Sequence, residues 1–233
     1  EKTLVAGLEW PGFRDDHAPA EGRVRAACGE LHVTPDAQTD LWRNTYYSPL
    51  LCKDDAFART WEVSAAEAVM ETQFVLVGNQ NFDQAGLVVR VDAQHWLKAG
   101  IEMVDGQAML SCVVTNGHSD WSTQRLQRKA DDSGGVSLQL RVSRIGASFV
   151  VESKAEDEEE KEAGRVRSAA AGGGGGWQFM RICHLDGIAD TDPPTGDKCR
   201  MGVYTCAPAT ETACTVRFTM LRITQGRAFH HTY

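Results

Sequence analysis

Apolar residues recur at every second position through much of this 233-residue chain. Residues 69–77, VMETQFVLV, put Met70, Thr72, Phe74 and Leu76 on one face and Glu71 and Gln73 on the other. That period of two predicts a strand and not a helix. Val136, Leu138, Leu140 and Val142 alternate in the same way, and Arg144-Ile145-Gly146 turns that strand into residues 147–153. Short strands are also predicted at 29–34, at 40–47, from Trp177, Phe179 and Arg181 onward, at 201–207 and at 214–223. In the last of these Val216, Phe218 and Met220 are expected on one face. Residues 48–56 read as a loop. Pro11, Gly12 and Pro19 exclude a long helix near the start, and residues 64–68 make a short helix-like candidate. About eleven short strands separated by turn signals predict an all-β sandwich or barrel.

The most informative stretch is 83–121, DQAGLVVRVDAQHWLKAGIEMVDGQAMLSCVVTNGHSDW, which reads as three strands and two tight turns. Asp105-Gly106 suits a two-residue type I′ hairpin loop, because both central residues need positive φ. That loop pairs Val104 with Gln107, and hence Glu102 with Met109, Gly100 with Ser111, Lys98 with Val113 and Trp96 with Thr115. One face then carries Trp96, Lys98, Gly100, Glu102, Ser111 and Thr115. The other carries Leu97, Ala99, Ile101, Met103, Leu110, Cys112 and Val114, with no charge. A one-residue slip would bury Lys98 and Glu102 in the core, so the register is well specified. If Leu87, Val89 and Val91 join the core, Gly86, Val88 and Arg90 join the polar face and Arg90 falls beside Trp96. An aromatic ring among charged groups suits a sugar, with apolar stacking below and polar contacts at the edge. The glycines at 86 and 100 would allow close approach. A solvated face with Lys98 and Glu102 balancing each other remains the plain alternative.

Net charge is −8, which argues against a nucleic acid or an anionic membrane as partner. No apolar run approaches the roughly 20 residues of a membrane span. The first residues lack the basic and apolar regions of a signal peptide, so a cytoplasmic protein is expected. Seven cysteines without a CxxC pair fit reduced thiols; the sharper reading is a disulfide or thiol site among Cys199, Cys206 and Cys214. Residues 154–176, KAEDEEEKEAGRVRSAAAGGGGG, read as a flexible solvated insertion within one domain spanning 1–233. The five glycines lack the Lys-Ser/Thr of a phosphate loop. His230 and His231 point apart on extended backbone and have no third ligand nearby, so neither a metal nor a cofactor is expected.

DQAGLVVR, HWLKAGIE and VVTNGHSDW resemble the core of the regulation-of-enolase protein family, a group named for domains of unknown function. TDLWRNTYY upstream, and GVYTCAP and VRFTMLRI downstream, follow in the right order, so the resemblance covers roughly residues 30–225. The 154–176 insertion is longer than the tight turn usual there, and residues 1–28 are less family-like. The family is similar to the concanavalin A-like lectin and glucanase superfamily. The resemblance therefore implies a jelly-roll β-sandwich of two antiparallel sheets, with the polar face concave and holding saccharides.

Three functional readings stay open. A non-catalytic domain would bind a carbohydrate or sugar-like metabolite through Arg90, Trp96, Lys98, Glu102 and Trp121, assisted by Ser111, Thr115 and Asp120. A regulatory protein would instead bind a metabolic enzyme through an edge or the acidic insertion. A glycoside hydrolase or lyase would use Glu102. Hydrolysis ordinarily takes two carboxylates, however, and the E-x-D-x-x-E run of the glucanases of this fold is absent. A lyase lacks an evident Tyr or His base on this face. Binding without catalysis is the expectation.

Overall fold

The computed structural model of the protein describes residues 2–9, 11–126, 130–154, 176–194, 196–209, 211 and 214–229. The insertion expected at 154–176 and the pair His230–His231 fall, but for Lys154 and Gly176, outside them. The described strands are β1 (Lys2–Ala6), β2 (Arg14–Asp16), β3 (Val24–Ala27), β4 (Glu30–Val33), β5 (Leu41–Arg43), β6 (Cys52–Asp54), β7 (Phe57–Val63), β8 (Glu67–Val77) and β9 (Gln84–Arg90). They continue with β10 (His95–Val104), β11 (Gln107–Asn116), β12 (His118–Arg125), β13 (Val136–Ile145), β14 (Ser148–Lys154), β15 (Gln178–His184), β16 (Cys199–Cys206) and β17 (Thr215–Gln225).

An eight-stranded antiparallel sheet runs β15-β14-β13-β8-β17-β4-β3, with β1 on β17, and a seven-stranded sheet runs β12-β11-β10-β9-β16-β7-β2. Their facing side chains form one core, to which Leu97, Ala99, Ile101, Leu110 and Cys112 contribute from one sheet and Met70, Phe74, Leu140 and Phe218 from the other. The alternation implied a sandwich or barrel, and this is the jelly-roll sandwich that the family resemblance implied. β5 and β6 form a separate two-stranded hairpin.

The central register is as expected: Val104 pairs with Gln107, Glu102 with Met109, Lys98 with Val113 and Trp96 with Thr115. Asp105 and Gly106 both have positive φ, as a type I′ loop demands. Arg90 pairs with Trp96. Gly86 and Gly100 face each other across β9 and β10, and a Cβ on either would come within 2.0 Å of the other strand's backbone. What approaches these glycines is thus the neighbouring strand and not a ligand.

Several local expectations fail for tertiary reasons. Residues 64–68 form no helix; Glu67 and Ala68 begin β8. Residues 48–56 contain β6, and β1, β2 and β7 lie where no strand was expected. β1 and β2 are edge strands that gain their form by pairing with β17 and β7. Met220 does not share the inward face of Phe218. A bulge between them puts Leu221 and Ile223 inside instead, with Thr72 Oγ1 donating to the Met220 carbonyl at 2.6 Å. All seven cysteines are free. Burial pushes the thiols of Cys112 and Cys214 up to about 12 and that of Cys199 to about 11, and Cys206 is raised by the same cause. A thiolate site among Cys199, Cys206 and Cys214 is therefore disfavoured. No helix of the described residues is long and apolar enough to cross a membrane.

Candidate functional site

The outer face of the seven-stranded sheet carries the polar set of β10. The β5–β6 hairpin lies across one end of it. Leu41 packs into a second apolar cluster with Ala56, Ala58, Val88, Trp96, Val113 and Tyr204, and Trp42 leans on it. Polar contacts tie the hairpin down. Arg90 on β9 donates to both oxygens of Asp54 on β6, at 2.5 and 2.6 Å. The Arg43 amide donates to Ser119 Oγ at 2.9 Å, and Asn44 Nδ2 donates to the Gly117 carbonyl at 3.2 Å. Asp40 and Asp55 close the hairpin's base, through Asp40 N to Asp55 Oδ1 at 2.7 Å and Asp55 N to Asp40 O at 3.1 Å.

Beyond the hairpin a pocket of about 150 Å³ opens, lined by Asp40, Trp42, Tyr47, Leu51, Phe82, Lys98, Glu102, Val113, Trp121 and Pro208. Its floor is charged and buried. Lys98 is 2% exposed and donates from Nζ to Asp40 Oδ1 at 2.9 Å. Burial alone would push its ammonium down, but the neighbouring carboxylates, Asp40 above all, outweigh this and hold it up. Asp40 Oδ1 also accepts from the Leu41 amide at 2.7 Å and from Gln84 Nε2 at 3.4 Å. Glu102, 5% exposed, accepts from Ser111 Oγ at 2.5 Å and from Trp121 Nε1 at 2.9 Å, both on Oε2. Burial pushes its carboxyl above the ordinary range despite Lys98 and these donors. Each carboxylate thus commits one oxygen to the protein. Asp40 Oδ2 and Glu102 Oε1 accept no hydrogen bond from the described residues.

The walls are aromatic. Trp42 and Tyr47 meet edge to face, as do Phe82 and Trp121. Tyr46 next to Tyr47, and Phe82 itself, hold φ of 73° and 70°. Bulky residues rarely adopt that left-handed conformation, which costs of order 1–3 kcal/mol and clusters at functional sites.

The residues expected from the sequence therefore divide. Lys98, Glu102 and Trp121 line the pocket, and Ser111 supports Glu102 from below. Arg90, Trp96 and Thr115 are on the expected face but lie beneath the hairpin or beside it. Trp96 is 1% exposed, so it offers no stacking surface, and Thr115 is bonded to Ser119 at 2.8 Å. Asp120 pairs in register with Val114, a core-facing residue, and so points to the other side of the sheet from Trp121, where it pairs with Arg181 at 3.2 Å. Adjacent residues on a strand face opposite ways, so Asp120 and Trp121 could not share a site. Asp40, Trp42, Tyr47, Leu51, Phe82 and Pro208 were missed. The aromatic run DLWRNTYY was the available signal, and it reads equally well as an ordinary strand.

A wider open groove of about 540 Å³ lies on the eight-stranded sheet, lined in part by Arg23, Arg25, His32, Asp131 and Arg217. Most of its charges are answered locally, Arg23 by Asp36, and Arg217 and His32 by Glu30, while Arg25 has no ion pair among the described residues. It has no buried charged floor, which is why the smaller pocket is the candidate. No group of His, Cys, Asp and Glu among the described residues could hold a metal ion.

Residues 17–226 match the family described as "Protein of unknown function (DUF1349)". The chain belongs to the DUF1349 family. It is 44% identical over 123 residues to "Regulation of enolase protein 1" of Saccharomyces cerevisiae, a stretch amounting to 52% of this chain and 60% of that protein. The chain therefore spans less than two thirds of that curated relative. The fold matches a crystal structure titled as a functionally unknown protein from Saccharomyces cerevisiae, with TM-score 0.69 and 27% identity over 92% of this chain and 96% of the other. The exoplasmic/lumenal domain of VIP36, in a Ca2+/Man3GlcNAc-bound form, matches with TM-score 0.53 and 12% identity over 99% and 90% of the two chains. At that identity the likeness shows the fold alone, which is concanavalin A-like. This DUF1349 chain departs from expectation in the position of its pocket and not in its architecture.

Proposed function

We propose that the pocket binds a carbohydrate or sugar-like metabolite without transforming it. The observation that carries this reading is the pair of carboxylate oxygens, Asp40 Oδ2 and Glu102 Oε1, without donors among the described residues, in a pocket walled by aromatic rings. A sugar hydroxyl donates to such oxygens while its C–H face rests on a ring. The volume, about 150 Å³, is small beside the roughly 300–1,000 Å³ of ordinary ligand pockets. It suits one ring or the end of a chain and not a polysaccharide cleft.

The hydrolytic reading gains a second carboxylate in Asp40, but Asp40 is held by Lys98 as half of an ion pair. The lyase reading gains Tyr47, whose phenol burial pushes up, away from the ionised form a base requires. Binding is tested by titrating the protein with monosaccharides while recording tryptophan emission, since half-exposed Trp121 stands at the mouth. Saturable change that disappears in Glu102→Gln supports the reading. No response to any neutral, amino or acidic sugar would overturn it, and release of product from a glycoside would replace it with hydrolysis.

A second reading is favoured by the name of the Saccharomyces cerevisiae relative: the protein regulates a metabolic enzyme by binding it. Direct titration of purified enolase with this chain tests it. Binding that survives Glu102→Gln would place the contact outside the pocket, whereas no binding at any concentration reached would remove this reading.

A further inference from the structure

We propose that the pocket selects a ring carrying one protonated amine, an amino sugar, over its neutral or anionic counterpart. This deepens the sugar-binding reading and rests on it. The first argument is a count of charge. Three ionisable side chains line the pocket floor: Asp40, Lys98 and Glu102. Lys98 and Asp40 are in contact at 2.9 Å and answer each other. Glu102 is left with two neutral donors, the Ser111 hydroxyl and the Trp121 indole N–H, and both reach the same oxygen. An ionised Glu102 therefore leaves the floor one negative charge in excess, in a site where burial makes that charge costly. An ammonium group reaching Oε1 would balance it.

The second argument is independent of the floor. Trp42, Tyr47, Phe82 and Trp121 stand around the pocket, and the faces of such rings attract cations. Trp42 pairs with Tyr47, and Phe82 with Trp121, edge to face, so the rings of each pair are not stacked on one another. A carboxylate or phosphate would meet ring faces and two carboxylates of its own sign. The cation available to attract an anion is Lys98, whose side chain is 3% exposed and already paired.

The test is calorimetric titration of the intact protein with D-glucosamine, D-glucose, N-acetyl-D-glucosamine and D-glucuronate, at a pH where the free amine is protonated. Glucosamine is expected to bind about tenfold or more tighter than glucose, as a close charge pair allows. N-acetylglucosamine, with the amine capped, is expected to fall back to the glucose value, and glucuronate to bind weakest. In Glu102→Gln the advantage of glucosamine over glucose should shrink to within about twofold. The four ligands are compared on the unaltered protein, so the result does not depend on the variant folding. Equal binding of glucose and glucosamine would overturn the selectivity and leave sugar binding standing. Tightest binding of glucuronate would overturn it in favour of Lys98. Failure of all four would remove the sugar reading and the selectivity together.

Discussion

The two ends of the outer face of the seven-stranded sheet are built from the same kinds of residue and end up unlike. Each has a cation, a carboxylate from the 40–55 segment and a tryptophan. At the sealed end Arg90 takes both oxygens of Asp54, at 2.5 and 2.6 Å, and Trp96 is covered by the hairpin. At the open end Lys98 takes one oxygen of Asp40 and Trp121 stays half exposed. The difference follows from the cations. A guanidinium presents two parallel N–H donors that saturate a carboxylate, whereas an ammonium acts as a point charge and leaves the second oxygen uncommitted. One end becomes a clamp and the other keeps an acceptor in a pocket.

That contrast can be broken most severely at Trp96. Trp96→Ala empties the space under the hairpin and should destabilise the fold by about 3–5 kcal/mol in urea unfolding, the range for deleting a buried aromatic. A loss under about 1 kcal/mol would mean the sealed end is not packed as described. Arg90→Lys makes the clamp resemble the open end. The Arg90 side chain is 13% exposed and that of Asp54 35%, so water screens part of the effect and about 1–2 kcal/mol is expected. Protection of the Leu41 and Trp42 amides from hydrogen exchange should fall with it.

A smaller effect separates the ends by pH. Burial raises the Glu102 carboxyl in the folded state above its ordinary value of 4.5. The folded protein then holds that proton more tightly than the unfolded chain. The associated stability is fully present below the unfolded value and is lost as pH rises through the folded one. Unfolding curves across that window should show the parent protein losing stability relative to Glu102→Gln. Asp83, also raised by burial, contributes with the same sign to both proteins and cancels in the comparison. A difference that grows in the opposite direction would show the Glu102 carboxyl to be held below its ordinary value in the folded state. Tyr47→Ala should be the mildest change to the fold, under about 0.5 kcal/mol because Tyr47 is 41% exposed, while weakening sugar binding. Unchanged affinity in that variant would remove Tyr47 from the ligand wall.

Much of the sheet was legible in advance. Alternation in 83–121 and the Asp105-Gly106 turn set the pairing of β10 with β11 residue by residue, because a slip would bury Lys98 and Glu102 in the core. The edge strands β1 and β2 were not legible: β2 has no apolar residue, β1 carries Leu4 and Val5 side by side without alternation, and both take their form from the strands they join. Nor was the bulge near Met220, where one extra residue silently exchanges inward for outward positions.

By itself, the sequence determined which residues share each face of the central sheet, since alternation is a local property of extended backbone. It therefore placed Lys98, Glu102 and Ser111 together, whereas Trp121 joins them through the pairing of β12 with β11. Only the tertiary structure decided which part of that face is open. The β5–β6 hairpin is distant in sequence from β10, and its docking rests on Asp54 and Asp40 meeting partners 36 and 58 residues away and on Leu41 joining the cluster of Val88, Trp96 and Tyr204. No local periodicity encodes such a meeting. It alone turned Trp96 into core, Arg90 into a clamp and Asp40 into the second carboxylate of the pocket.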